Sequence, residues 1–308
     1  MWPLLALFLL SCCPAEALII GADTRTEVSA PQAAPFRDWA DSVVLVSAIL
    51  KPVDSSAPAS GYYWAFGGRK YGDAFTVPQA PQMNHPALDP ATPFAAQPII
   101  PMSCSGALIA PDIVLTAGHC ADVFFNVVKR AYVAFGWRLG EDGQPPEKFL
   151  ADQVYRCSLI AQRNDLKEKD GIPLSGSDWA LLRLDRPVPD HRPLSVDRRG
   201  VYKKGTKVAM IGYPYGLPEK VETGVIRKRL RTAFSTNLPA FIGDSGAPVF
   251  NQASGLIEGI LVQRHGGDDF APKGDAAVER VVPEPDAYTV VLKSSEFLPA
   301  LSAAVQPR

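Results

Sequence analysis

Three short stretches hold the residue types that could work as one chemical unit. Ser245 lies in FIGDSGAPVF, residues 241–250, between Gly243-Asp244 and Gly246. Glycine enters backbone conformations closed to other residues, so such a turn can aim consecutive N–H groups at one point. The N–H groups of Gly243 and Ser245 would then hold a developing oxyanion beside the serine hydroxyl. On its own, GDSG is also an ordinary turn before an edge strand. A serine hydroxyl becomes a nucleophile only when a base takes its proton, and that base needs an acid to fix its tautomer and stabilise its cation. His119, in TAGHC at 116–120, supplies the base, and Asp178, in SDWALLRL at 177–184, supplies the acid. Of four histidines in the chain, His119 alone lies in such a motif.

The elements that must position these residues read as short strands. His119 follows the apolar, β-branched run Ile113-Val114-Leu115, and Asp178 stands at the mouth of another apolar run. Asp165 and Asp170, in the polar loop 163–177, rank below Asp178 because no buried strand would fix them. The run 43–50 reads as the first buried strand, and runs at 105–110, 112–117, 131–136, 153–160 and 179–184 predict a first barrel spanning about 102–190. Runs at 208–212, 221–226, 230–234, 247–250 and 256–262 predict a second, over about 194–292. The Pro-rich stretch 185–193 reads as their connection, with His191 exposed. Apolar spacing over 293–305 predicts a closing helix. With 308 residues, 47% hydrophobic and 29 of them proline, the chain is globular, loop-rich and poor in long helices. A net charge of −1 excludes broad attraction to nucleic acid or anionic membrane. No internal segment is apolar for long enough to cross a membrane.

TAGHC, SDWALLRL and GDSGAPVF, in the order His119, Asp178, Ser245, resemble the trypsin/chymotrypsin family of serine peptidases. Ile20-Gly21-Ala22-Asp23-Thr24-Arg25, Ile211-Gly212-Tyr213-Pro214 and Glu222-Thr223-Gly224 are similar to its bacterial V8-like (glutamyl endopeptidase-like) branch. The resemblance implies an all-β fold of two antiparallel six-stranded barrels with a C-terminal helix. It implies peptide-bond hydrolysis through an acyl-enzyme, a protein or peptide substrate, and no metal or cofactor. It implies a monomer and a disulfide between Cys104 and Cys120, leaving Cys157 a buried free thiol. In the family a freed amino terminus pairs with the aspartate before the serine, here Asp244, although V8-like members usually carry Asn there. The mature start would be Leu18 or Ile19.

Residues 1–17 resemble an export signal with an Ala15-Glu16-Ala17 cleavage pattern, which predicts a secreted or periplasmic protein. Lipid attachment at Cys12 is the alternative, and it would leave no free amine at residue 18 or 19. Residues 51–101, with nine prolines, read as a surface insertion without catalytic residues, His85 included. A role in gating the substrate cleft is the other reading. The basic run Arg227, Lys228, Arg229 and Arg231 reads as a solvated strand face.

For the specificity pocket, the family position six before the serine is Pro239, which speaks against Lys or Arg at P1. The strand after the serine turn carries Leu261 where glutamate-selective relatives have histidine. Arg264, or its neighbour His265, is the candidate for attracting acidic side chains. Val262 stands where many relatives have a serine supporting the catalytic aspartate. A weak, ligand-binding protein on the same fold and an esterase using the same three residues are the rival functions.

Overall fold

The computed structural model describes residues 19–52, 61–64, 68–74, 86–169, 172–284 and 286–305. The export-signal segment, Leu18, His85 and Asp170 therefore lie outside the described residues. Six strands close the first barrel: β1 (Val43–Ser47), β2 (Ser103–Ala110), β3 (Ile113–Thr116), β4 (Tyr132–Ala134), β5 (Val154–Asn164) and β6 (Asp178–Leu184). All neighbours are antiparallel, in the ring order β6-β3-β2-β1-β4-β5.

The second ring is β7 (Lys207–Gly212), β8 (Lys220–Arg229), β9 (Ala233–Thr236), β10 (Pro248–Asn251), β11 (Ile257–His265) and β12 (Tyr288–Lys293). Its order is β7-β10-β11-β12-β9-β8, closed by pairing of β7 with β8. The two-barrel architecture and the closing helix, Leu298–Ala304, match the expectation. β12 has no counterpart among the predicted runs, although its YTVVLK pattern is β-branched and apolar.

Alternation decides which way each strand faces. Val208, Met210 and Ile226 point into the second barrel with Leu238, Val249, Leu261 and Val291. Ala209, Ile211 and Val221 point the other way, into a core continuous with Leu45, Val114 and Leu181 of the first barrel. Because side chains alternate with period two, one strand can serve both cores. The barrels thus share buried apolar surface along the seam that carries the candidate site.

The described parts of the 51–101 stretch pack more closely than a surface insertion would. Leu50–Pro52 pairs with Tyr62–Trp64, and Tyr62 exchanges backbone hydrogen bonds with Phe149 of the first barrel. Further along, Tyr71, Leu88 and Ile99 are buried in one cluster with Ile19, Tyr215, Leu217 and Phe241. These side chains fill separate holes and follow no helix or strand period, so periodicity could not reveal them. His191 also differs from expectation. It is half-buried, stacked on Phe135 with centroids 4.3 Å apart, and its Nδ1 lies 3.0 Å from Asp41 Oδ2. The basic residues at 227–229 and 231 are exposed, as expected of a solvated face. No helix among the described residues is long and apolar enough to cross a membrane.

Candidate active site

Strand register brings the histidine and the aspartate together. Ala180 of β6 lies opposite Thr116 of β3, so two residues on, Asp178 faces the turn Gly118–Ala121 that follows β3. Asp178 Oδ2 lies 2.7 Å from His119 Nδ1, and Oδ1 accepts the His119 backbone N–H at 2.9 Å. That second bond fixes the carboxylate plane, and the first leaves Nε2 directed away from the acid. Burial opposes the charged imidazolium. The charge and hydrogen bond of Asp178, with Asp122 behind them, outweigh it and raise the His119 pKa above the ordinary imidazole value. Asp178 is buried, whereas 36% of the His119 side chain remains open to the cleft.

The serine turn is built from backbone positions that exclude side chains. Gly243 has φ +102° and Gly246 φ +85°. A Cβ at Gly246 would fall inside contact distance of Ser105 O and Thr116 Oγ1, and one at Gly243 inside that of Tyr213 O. Ser245 O accepts the Ser105 N–H at 2.9 Å, and Cys120 Sγ lies 3.9 Å from the same oxygen. The turn therefore packs against the histidine-bearing end of the first barrel. Among the described residues, neither the Gly243 nor the Ser245 N–H donates to a protein acceptor, so both are available for an oxyanion. The turn carrying half-buried Ser245 thus packs beside the barrel end that carries the His119–Asp178 pair.

Ser105 is the residue that reading the sequence missed. Its hydroxyl donates to Gly243 O at 2.8 Å and accepts the Tyr213 N–H at 3.0 Å. Its backbone amide holds Ser245 O, so one buried residue of the first barrel grips the serine turn of the second at two carbonyls, one through its side chain and one through its backbone. The signal was its place beside Cys104 in a strand whose other residues are apolar or small. Cys104 and Cys120 form a disulfide spanning 16 residues, a closure worth about 3 kcal/mol. It ties β2, which carries Ser105, to the turn that carries His119. Cys157 is free and, unlike the expected buried thiol, only half-buried; desolvation and the charge of Asp185 push its thiol up to about 12.

Asp244 is fully buried, and its Oδ2 accepts the Phe241 N–H at 2.9 Å. Oδ1 has no donor among the described residues. Burial raises its pKa to about 7, against a lowering influence from the Phe241 N–H, Arg25 and Arg264. Glu222, on the inward face of β8, is likewise buried with neither oxygen bonded, and desolvation together with Asp244 drives its pKa well up. With residue 18 attached, the Ile19 nitrogen is an amide that donates to Arg280 O at 3.2 Å.

Of the pocket candidates, Pro239 and Leu261 are buried, and Leu261 O accepts the Gly246 N–H at 2.8 Å. The Leu261 backbone therefore borders the serine turn, while its side chain packs in the second-barrel core. Arg264 does not offer a free charge. Its guanidinium is buried and lies 2.9 Å from Asp269, so the expectation that it attracts acidic side chains is corrected. His265 is exposed and stacked on Tyr288, and Val262 is buried. No group of three or more metal-ligating side chains occurs among the described residues.

A profile of the trypsin-like peptidase domain matches residues 104–260, just over half of the chain and inclusive of all three site residues. A trypsin-like protease of Streptomyces glaucescens is 29% identical over 167 residues, 54% of this chain and 49% of that protein. The chain thus spans about half the length of that curated relative. Among solved structures, the serine endoprotease from Yersinia pestis is similar with a TM-score of 0.49 and 16% identity, covering 91% of this chain and 68% of that one. The Rv3671c protease of M. tuberculosis, in an inactive form, gives a TM-score of 0.47 and 14% identity, covering 90% of this chain and 97% of that one.

Proposed function

The chain belongs to the trypsin-like peptidase domain family, and from that premise we propose that it is an exported serine endopeptidase with Ser245 as its nucleophile. The observation that carries the reading is the 2.7 Å contact between His119 Nδ1 and Asp178 at the rim where the Ser245 turn packs. In this mechanism His119 Nε2 takes the hydroxyl proton as Oγ attacks the scissile carbonyl. The C–O⁻ that forms is received by the N–H groups of Gly243 and Ser245. The imidazolium then gives its proton to the leaving amine, and an acyl-enzyme remains. Water, activated by the same imidazole, releases the acid product and restores Ser245. Asp178 stays ionised and orients the ring throughout.

Pro239 is the apolar pocket candidate, and the charge of Arg264 is already matched by Asp269. The preferred P1 side chain is therefore uncharged, tested by turnover of matched Leu, Glu and Arg peptides. The segments IGADTR and ETG put the chain beside the V8-like branch. Removal of residues 1–17 would deliver it to an oxidising compartment, in keeping with the Cys104–Cys120 bond.

A fluorophosphonate reports an activated hydroxyl directly. Wild-type protein labels at Ser245, and Ser245→Ala neither labels nor turns over peptide, a loss of about six orders of magnitude in kcat by comparison with triad knockouts. Peptide hydrolysis by the alanine protein at the wild-type rate would end the assignment. Turnover of simple esters alone, with peptides untouched, would convert it to an esterase.

A further inference from the structure

Three segments outside the two six-stranded rings converge behind the serine turn: the amino-terminal strap 19–25, the described residues 68–74 and 86–101 of the insertion, and the hairpin Phe270–Glu279. Their meeting point is Arg25, whose side chain is completely buried. Its Nε and Nη2 donate to the two oxygens of Asp23 at 2.9 and 2.7 Å. Nη1 and Nη2 donate to those of Glu279 at 2.7 and 2.5 Å. Tyr71, from the insertion, donates its hydroxyl to Glu279 at 2.6 Å. The edges of the guanidinium are thus filled by carboxylates. Two rings stack against it, Phe241 at 4.2 Å and Phe94 of the insertion at 5.0 Å.

Phe241 opens the serine turn. Its N–H donates to Asp244 Oδ2 at 2.9 Å, and its carbonyl accepts the Asp244 N–H at 3.0 Å. Next to it, Ile242 O accepts the Tyr215 N–H, and the Tyr215 ring packs edge-on against Phe241. A buried arginine is costly unless paired and hydrogen-bonded, and this one has both forms of support. Its fork geometry is what makes two bidentate carboxylate pairs possible.

Resting on the peptidase reading above, we propose that Arg25 is a positioning residue for the serine turn, and that this clamp gives the turn its competent shape while residues ahead of Ile19 are still attached. A cationic side chain from the strap does the ordering, and no freed amine is required. The Ile19 nitrogen is engaged elsewhere, in parallel pairing of Ile19-Ile20 with Val281-Val282. Asp244, whose burial keeps it largely protonated below about pH 7, needs no ammonium partner there. Arg25, Tyr71, Phe94 and Glu279 all lie outside the matched residues 104–260.

The test compares the full chain with a chain beginning at Ile19. Both should label Ser245 with fluorophosphonate at rates within about twofold. Labelling that appears only when the amino terminus is freed at Ile19 overturns the proposal. Arg25→Met should lower kcat by about ten- to a hundredfold through a misplaced turn while KM stays within about threefold. Affinity for a peptide boronate, which occupies the oxyanion site, should fall in parallel with kcat. Arg25→Lys restores part of the loss, because an ammonium cannot make both bidentate pairs. Glu279→Gln gives a smaller loss in the same direction and serves if the Arg25 variants do not fold. Arg186→Met removes a comparable guanidinium stack, 3.9 Å over Tyr155 of the first barrel, and should leave kcat within about twofold. Equal kcat for the Arg25 and Arg186 variants also overturns the proposal. Absence of labelling in wild-type protein of both lengths removes the peptidase reading itself.

Discussion

Asp178 and Asp244 are buried acids, one at the start of strand β6 in the first barrel and one within the serine turn of the second. Asp178 has both oxygens engaged by His119, through the ring and the backbone. Asp244 has one oxygen engaged by Phe241, whereas its other oxygen and both oxygens of Glu222 have no donor among the described residues. The difference separates two uses of a carboxyl group. A fully bonded carboxylate keeps its charge and imposes it on a neighbour, here raising the His119 pKa. A half-bonded one in low dielectric tends to keep its proton, and acts as a neutral brace whose ionisation is costly.

The largest effect comes from breaking the first of these. Asp178→Asn retains an acceptor for the His119 backbone N–H but sets an NH2 group against Nδ1, favouring the wrong tautomer. The expected loss in kcat is about four orders of magnitude. The residual activity should also change its pH profile. Wild-type activity rises as His119 deprotonates at its raised pKa, so removing the acid moves that limb to lower pH. Asp178→Asn with the wild-type limb would mean that another group sets the profile.

A smaller effect should come from the link between the two regions. Ser105→Ala deletes the bond to Gly243 O while leaving the Ser105 amide on Ser245 O. It also strands the Tyr213 N–H, which donates to the same hydroxyl. The loss of one buried hydrogen bond costs about 1–3 kcal/mol. If the bond serves to place the oxyanion groups, kcat falls about tenfold with little change in KM. A fall in thermal stability at unchanged kcat would reduce Ser105 to a structural stitch.

The three proposed catalytic residues stand out in the sequence because each sits in a short local pattern: a glycine-flanked serine, and a histidine and an aspartate at the ends of apolar β-branched runs. The two barrels were legible from the same runs, since strand burial leaves a regular trace in sequence. What escaped has no local pattern. Ser105 acts across 138 residues on Gly243, and Arg25 across 254 on Glu279. Tyr71, Leu88 and Ile99 are single apolar residues among prolines, each filling a hole made by other segments. Arg264 was read as a free charge because its partner, Asp269, lies past two glycines on the other side of a loop. Partner-dependent roles of this kind are set by tertiary placement and leave composition unchanged.

The smallest effect sharpens the contrast from the side of Asp244. In an unfolded chain this carboxyl ionises near pH 4, whereas burial holds it to about 7 in the folded protein. Between those values the unfolded state releases a proton that the folded state keeps, so stability falls as pH rises, by up to about 4 kcal/mol if nothing relaxes. Below the unfolded value the term is constant. Asp244→Asn keeps an acceptor for the Phe241 N–H and cannot ionise, so it should cancel this slope. Thermal unfolding from pH 4 to pH 8 should therefore show the two midpoints diverging as pH rises, with the asparagine protein the more stable by several degrees at the alkaline end. An ammonium seated on Asp244 would invert the result, because the carboxylate would then be the favoured form and the substitution would destabilise. Measuring the full chain and the chain beginning at Ile19 side by side makes the sign decide which cation, Arg25 or a terminal amine, stands behind the serine turn.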